Sequence, residues 1–366
     1  MDAMVKYQPG KGLWALGAVI VNAVQIPFWL LWYAFPSNRQ HPQYSLRQAI
    51  ATGALRNSIW HFCMINLSTP LVLKPKGKEK EFLVPIAPSS KSGVYGGICD
   101  DEHIKPTTVC GYWYPSPYIA SEDRNKKVVL HFHGGAFVVG DCRPADSGYA
   151  AGLLTENIGK TLMVSYRLSS NPGGRFPAAL QDAVSALHYL LDLGIDYSNI
   201  VVSGDSAGGN LVAALLRHLA GVDEPVLAAA LLWSPWVDPA TSVKPETILR
   251  SLHRWSDYIP GEFATWGGHA YCPKDGPISM EDGWISPRAH PFHTKTPIWV
   301  QGSGQEILFE EITEFAEGMK RVDGNNVAFH IEEIANHDIL LLGNVTGFEK
   351  EAENAAKMAA EWLDRQ

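Results

Sequence analysis

Cysteine is scarce in this sequence. The five residues, Cys63, Cys99, Cys110, Cys142 and Cys272, are odd in number and show no C-x-x-C spacing. That argues against a disulfide framework or a zinc ribbon and fits free thiols in a reducing compartment. No H-E-x-x-H or other metal-ligand spacing occurs, so no metal is expected. No G-x-G-x-x-G and no lysine-serine pair follows a glycine-rich turn, which leaves no phosphate loop and no reason to expect a cofactor. Positive charge is not in excess. At a net −8 the chain as a whole gives no reason to expect nucleic acid or an anionic surface as a partner. Internal repeats and low-complexity tracts are also missing. With 46% apolar and 19% charged residues, whole-chain disorder is excluded, and 366 residues suffice for one large domain with an insertion or for two modest ones.

What the chain does have is a regular alternation. Apolar runs at 82–87, 110–114, 127–132, 161–166, 200–202, 226–233, 298–301 and 327–334 read as strands. Segments 145–158, 178–193, 211–216, 308–322 and 349–362 read as helices. Strands alternating with helices imply an α/β fold, a mostly parallel eight-stranded sheet covered on both faces. The stretch 241–283 breaks the rhythm with Trp, Tyr, Gly and Pro and reads as an insertion packing above the sheet. Residues 71–366 then form the catalytic domain and residues 1–70 a helical cap segment, with a second helix over 45–66.

Within that segment, Leu13 to Phe35 is a largely apolar run interrupted by Asn22, Gln25 and Pro27 and preceded by Lys6 and Lys11. Its length would let it span a bilayer. The polar interruptions favour a lid helix over an oily pocket, and both roles stay open. A signal peptide is disfavoured, because no small-x-small site follows a compact apolar region. The expected location is cytoplasmic, with membrane association through this segment left open.

The chemistry converges on Gly204-Asp205-Ser206-Ala207-Gly208, a G-x-S-x-G sequence between an apolar strand and an apolar helix. Its glycines permit the strained turn that lifts a serine hydroxyl clear of a sheet. A serine needs a base, and the base needs a carboxylate, in the chain order serine, acid, histidine. His337 stands in the loop after the last strand; its rival His330 falls within that strand. Glu306 stands in the loop after the strand 297–301, whereas Glu310 and Glu311 sit where negative charge suits a helix N-terminus. Asp338 adjoins His337 but cannot easily turn back on its imidazole. For the oxyanion, His133-Gly134-Gly135-Ala136 ends a strand in a glycine-rich loop, offering the N–H groups of Gly134, Gly135 and Ala136, and Ala207 adds one from the elbow helix.

Taken together, these motifs resemble the hormone-sensitive-lipase branch of the α/β-hydrolase fold. His133-Gly134-Gly135 is similar to its oxyanion signature, and Gly204-Asp205-Ser206-Ala207-Gly208-Gly209 to its nucleophile signature. Ser165-Tyr166-Arg167-Leu168, Phe176 to Asp182, and Ser286-Pro287 fit as well. Two departures stand out: Ala136 replaces the third glycine, and Glu306 stands where aspartate is usual. The resemblance implies a cap built from N-terminal helices and an insertion after the sixth strand. It also implies hydrolysis of carboxylic esters through an acyl-enzyme on Ser206, and it leaves a homodimer open. The substrate expected is a small apolar ester or acyl thioester. A second reading keeps the triad but transfers the acyl group to a hydroxyl or amine, releasing a lactone, ester or amide in secondary metabolism. A remote third is a non-catalytic binding module on the same fold.

Overall fold

The computed structural model describes residues 7–221 and 226–366; Lys6 lies outside them. Two long helices lead, α1 (Gly10–Trp32) and α2 (Leu46–Met64). Ser45 and Gln48 close a reciprocal cap at the start of α2: Gln48 N–H donates to Ser45 Oγ at 3.2 Å and Ser45 N–H to Gln48 Oε1 at 2.7 Å. Then come β1 (Leu83–Ile86), β2 (Val109–Tyr114), the short α3 (Ala120–Asp123), β3 (Val128–Phe132), α4 (Pro144–Asn157) and β4 (Lys160–Ser165). The order continues with α5 (Ala178–Asp192), β5 (Ile200–Asp205), α6 (Ala207–Gly221) and β6 (Ala229–Trp233). The insertion contributes α7 (Pro239–Ser242), α8 (Pro245–Arg250) and α9 (Gly261–Tyr271). The chain ends with β7 (Ile298–Ser303), α10 (Phe309–Lys320), β8 (Val327–Glu332), α11 (Ile339–Thr346) and α12 (Glu349–Leu363).

The eight strands form one sheet in the order β1-β2-β4-β3-β5-β6-β7-β8, in which only β2 pairs antiparallel with its neighbours. Both faces are covered, and each strand divides its side chains between two cores. Val128, Leu130, Phe132, Val202 and Leu232 pack toward α5 and α6. Val129, Val201, Leu231, Trp233 and Trp299 pack on the opposite face, toward α4 and α12. The chain steps from β3 outward to β4, then returns across β3 to β5. The loops after β3 and β5 therefore diverge at a topological switch point, where an open α/β sheet forms a crevice at its carboxyl edge. The glycine-rich loop and the serine turn are those two loops.

Glycine sets how closely the elbow can approach. A Cβ on Gly208 would lie 1.8 Å from the Phe132 carbonyl oxygen, so only a bare Cα lets the start of α6 rest on the end of β3.

The N-terminal run forms the helix α1, which packs along α2. Along α1 the half-buried positions are Gly10, Lys11, Trp14, Gly17, Ala18, Asn22, Gln25 and Trp29, a stripe with helical spacing that faces α2. Asn57 Nδ2 on α2 donates to Asn22 Oδ1 at 2.8 Å and to Gln25 Oε1 at 3.1 Å. The polar interruptions are thus packing contacts with the second helix, and no residue of α1 is fully buried. The helix α11 was not foreseen. Its start depends on Asp338 at φ 51°, whose carboxylate accepts the Leu341 N–H, a conformation that propensity does not announce.

Replacing Gly208 by Ala is expected to destabilise the fold by about 1–3 kcal/mol or more through forced backbone movement. Gly152→Ala in the middle of α4, where an added Cβ meets nothing, should be neutral or stabilise by about 0.5–1 kcal/mol. Urea denaturation midpoints of the two variants check this pair.

Candidate active site

Ser206 occupies the turn between β5 and α6 with φ 49°. Its backbone is fixed on three sides: its N–H donates to Trp233 O at 2.8 Å, and its carbonyl accepts from Asn210 and Trp236. Among the described non-glycine residues with positive φ, all but Asn66 (Ala136, Phe137, Ser206, Ser234 and Asp338) stand at this carboxyl edge. Left-handed backbone costs energy in residues with a Cβ and persists only where the surroundings over-determine it.

Glu306 and His337 are fully buried partners. His337 Nδ1 and Glu306 Oε2 are 2.6 Å apart. The other carboxylate oxygen accepts the Ser303 N–H at 2.6 Å and the Ser234 hydroxyl at 3.1 Å. Burial opposes a charged imidazole, but the hydrogen bond and charge of Glu306, with Asp257 and Asp338 nearby, outweigh it and hold the His337 pKa up at about 9. His330, the rival histidine, stacks on Trp299 and pairs with Glu332 at 2.8 Å, within β8. Glu310 lies 3.7 Å from His253, and Glu311 is buried at the start of α10; neither touches His337.

One side-chain contact ties the serine turn to the histidine loop, and a second ties that loop to the loop after β6 and to Glu306. The carboxyl groups of Asp205 and Asp338, which flank Ser206 and His337 in the chain, are hydrogen-bonded to each other. Burial and the Asp205 charge push Asp338 far above the ordinary carboxylate range, so Asp338 carries the shared proton. Ser234, in the loop after β6, accepts the Asp338 N–H at 3.1 Å while its hydroxyl donates to Glu306.

The glycine-rich loop needs one correction. The Gly134 N–H donates to Asp205 Oδ2 at 2.6 Å and is therefore engaged beneath the site rather than facing a substrate. Asp205 also bonds His131 Nε2 at 2.7 Å, and burial lowers the pKa of this histidine to about 3, keeping it neutral. The N–H groups of Gly135, Ala136 and Ala207 make no hydrogen bond among the described residues. Ala136 and Ser206 line the same small cavity, of about 20 Å³, together with Trp236, Ile259, Phe263 and Leu308. A larger cavity of about 1050 Å³ lies between α2 and α9, walled by Trp60, Met64, Glu262, Trp266 and His269. Ile248 of α8 borders both. Trp60 and Trp266 line this larger cavity, while Trp32 and Trp255 are exposed.

Sequence reasoning missed Asp257. This buried carboxylate of the insertion accepts the Ile307 N–H at 2.7 Å and the His337 N–H at 3.3 Å, as well as the N–H of Tyr258. It thereby bridges the loop that bears Glu306 and the loop that bears His337. A single acidic residue in an irregular segment carries no periodic signal, so nothing in the sequence could have singled it out. Among the described residues no group of three His, Cys, Asp or Glu could hold a metal ion. All five cysteines are free and buried.

A strained serine between a parallel strand and a helix, with a buried acid–histidine pair on the next loops of the same sheet edge, defines a class of protein, and comparison with known proteins agrees. The family profile of the alpha/beta hydrolase fold matches residues 129–341. The chain belongs to the α/β-hydrolase-fold family. Among solved structures, an esterase from the bacterial hormone-sensitive lipase family superposes with a TM-score of 0.61 at 23% identity, over 88% of this chain and 99% of that one. Its fold is thus that of the hormone-sensitive-lipase-like esterases. In sequence, the chain is 35% identical over 115 residues to an acetyl-hydrolase of Streptomyces hygroscopicus, covering 31% of this chain and 37% of the relative. It is 33% identical over 135 residues to the esterase LipI of Mycobacterium tuberculosis, covering 34% and 38%. An α/β-hydrolase superfamily protein of Schizosaccharomyces pombe matches at 28% over 229 residues, covering 59% and 64%. The chain thus matches about two fifths of the length of the first two relatives and under two thirds of the third.

The elevated His337 pKa has a signed consequence. A base must be neutral, so ester turnover (kcat/KM) should fall on acidification through about pH 9. The protonated imidazole also stabilises the fold fully below about pH 6.5, and that contribution fades as pH rises through about 9. Asp257→Asn removes one of the charges facing His337, leaving those of Glu306 and Asp205, with Asp338 protonated. The acid limb should therefore move to lower pH, and kcat should fall roughly 10- to 100-fold as the two loops loosen. A pH–rate profile that keeps its limb, with kcat intact, would reduce Asp257 to filling space.

Proposed function

We propose that the protein is a serine hydrolase of carboxylic esters, with Ser206 as nucleophile, His337 as general base and acid, and Glu306 as the orienting carboxylate. The observation that carries this is the 2.6 Å bond between two fully buried side chains, His337 and Glu306, on loops tied to the Ser206 turn. Such a bond fixes the imidazole tautomer with the proton on Nδ1 and leaves Nε2 to act as base. The serine oxygen attacks the acyl carbon while its proton passes to His337. The C=O electrons move onto oxygen, where the N–H groups of Gly135, Ala136 and Ala207 receive the charge; each such donor typically lowers the barrier by about 3 kcal/mol. Collapse expels the alcohol, protonated by His337, and water then attacks the acyl-enzyme by the same route.

The apolar lining of the small cavity beside Ser206 suits an uncharged acyl or alkyl group, and the insertion with α2 serves as the cap over it. Names of the similar proteins, an acetyl-hydrolase and an esterase, support the reaction class. Turnover of p-nitrophenyl acetate and butyrate should drop about 10⁶-fold in Ser206→Ala. Equal turnover by the two proteins, or no labelling of wild type by a fluorophosphonate probe, would remove the hydrolase reading. Product analysis with an acyl thioester bearing a distal hydroxyl separates hydrolysis from acyl transfer: linear acid alone marks hydrolysis, and a lactone marks transfer.

A further inference from the structure

Helix α1 has one face that is accounted for and one that is not. Facing α2 is the stripe from Lys11 through Trp14, Asn22, Gln25 and Trp29, with its side-chain hydrogen bonds to Asn57. Outside that stripe, from Leu13 to Trp32, every residue is apolar or glycine. Leu13, Val19, Val24, Phe28 and Leu31 are 60–75% exposed. The helix is 23 residues long, with a mean hydropathy of 1.7 over its most apolar window and none of that window buried. Its C-terminal end is aromatic, with Phe28 stacked on Trp32 and Phe35 exposed beyond. The same cap also exposes Leu252 and Trp255. An apolar surface of this size on a water-soluble domain marks an interaction site.

Charge identifies the occupant. Between Asp2 and Glu79 there is no acidic residue, whereas Lys6, Lys11, Arg39, Arg47, Arg56, Lys74, Lys76 and Lys78 all fall there. A chain with a net charge of −8 therefore carries +8 in this segment and −16 elsewhere. Two copies meeting through α1 would bring like charges together. An anionic surface would be attracted.

We propose that α1 and the basic chain segment that contains it bind an anionic lipid bilayer, with α1 lying in the plane of the interface, docked on α2, its outer face among the acyl chains. Apolar contact and attraction to acidic headgroups are the two forces that hold such a helix, and aromatic residues favour the headgroup level. The helix lies on the bilayer rather than across it. Crossing would strip Asn22 and Gln25 from Asn57 and leave them unpartnered in hydrocarbon. It would also require α1 to leave the face of α2 against which Trp14 packs on Trp60, with ring centroids 6.2 Å apart.

The test is flotation of the full chain, prepared without detergent, with phosphatidylcholine vesicles and with vesicles carrying about 30% phosphatidylserine. Binding to the anionic vesicles should be at least tenfold stronger and should weaken in ~0.5 M NaCl. Val24→Glu with Leu31→Glu should abolish it while circular dichroism and p-nitrophenyl acetate turnover stay unchanged. Lys74→Gln, Lys76→Gln and Lys78→Gln together should remove part of the salt-sensitive binding and leave the fold intact. No flotation with either vesicle, or undiminished flotation of the doubly acidic variant, overturns the proposal. Resistance to an alkaline carbonate wash overturns it in favour of a spanning helix. A dimer in buffer that the acidic variant dissociates, without lipid binding by wild type, overturns it in favour of a second copy.

Discussion

The site depends on keeping a carboxylate and an imidazole together out of water. Glu306 has no solvent contact, and its two oxygens are spoken for by His337, the Ser303 N–H and the Ser234 hydroxyl. A buried ion is costly unless every lone pair finds a donor, so the surrounding loops are shaped by that requirement. Asp257 extends the same logic from the insertion. It gives up solvent to accept N–H groups from both loops, so one side chain of the insertion reaches the acid loop and the histidine loop together. A change in the insertion would therefore reach the acid–histidine pair directly.

Beneath the turn, a second polar layer fixes the elbow. Asp205 gathers the Gly134 N–H, His131 and the protonated carboxyl of Asp338. Three loops that are far apart in sequence converge on one carboxylate, and backbone strain is stored around it at Ala136, Phe137, Ser206, Ser234 and Asp338. The departure at Ala136 fits this picture. The residue holds φ 52° without being glycine, while Gly267 of α9 packs so closely that a Cβ would come within 2.5 Å of the Ala136 carbonyl oxygen. The glycine-rich loop and the insertion helix are fitted to each other at that point.

Much of the architecture was legible because it is periodic. Strands such as Val128–Phe132 and Ile200–Asp205 announce themselves by the apolar runs at 127–132 and 200–202, since both faces of a parallel sheet are covered. The helix α5 is apolar enough along its length to be read directly. Asp338 at the start of α11 was read only as a neighbour of His337, because a left-handed cap is set by what surrounds it rather than by its own propensity. Gly134 was expected among the donors facing the substrate. A motif names the residues of a loop but not the direction in which each N–H turns.

By itself the sequence determined the succession of the eight strands and the long helices that alternate with them, the turn that carries Ser206, the loops that bear Glu306 and His337, and an N-terminal helix too apolar for water on all sides. These follow from local composition and spacing. Tertiary structure alone decided that Asp257 reaches both loops, that Gly134 looks down to Asp205, and that Asn22 and Gln25 turn toward α2. Each of those depends on the distance between residues remote in the chain, which no local pattern encodes.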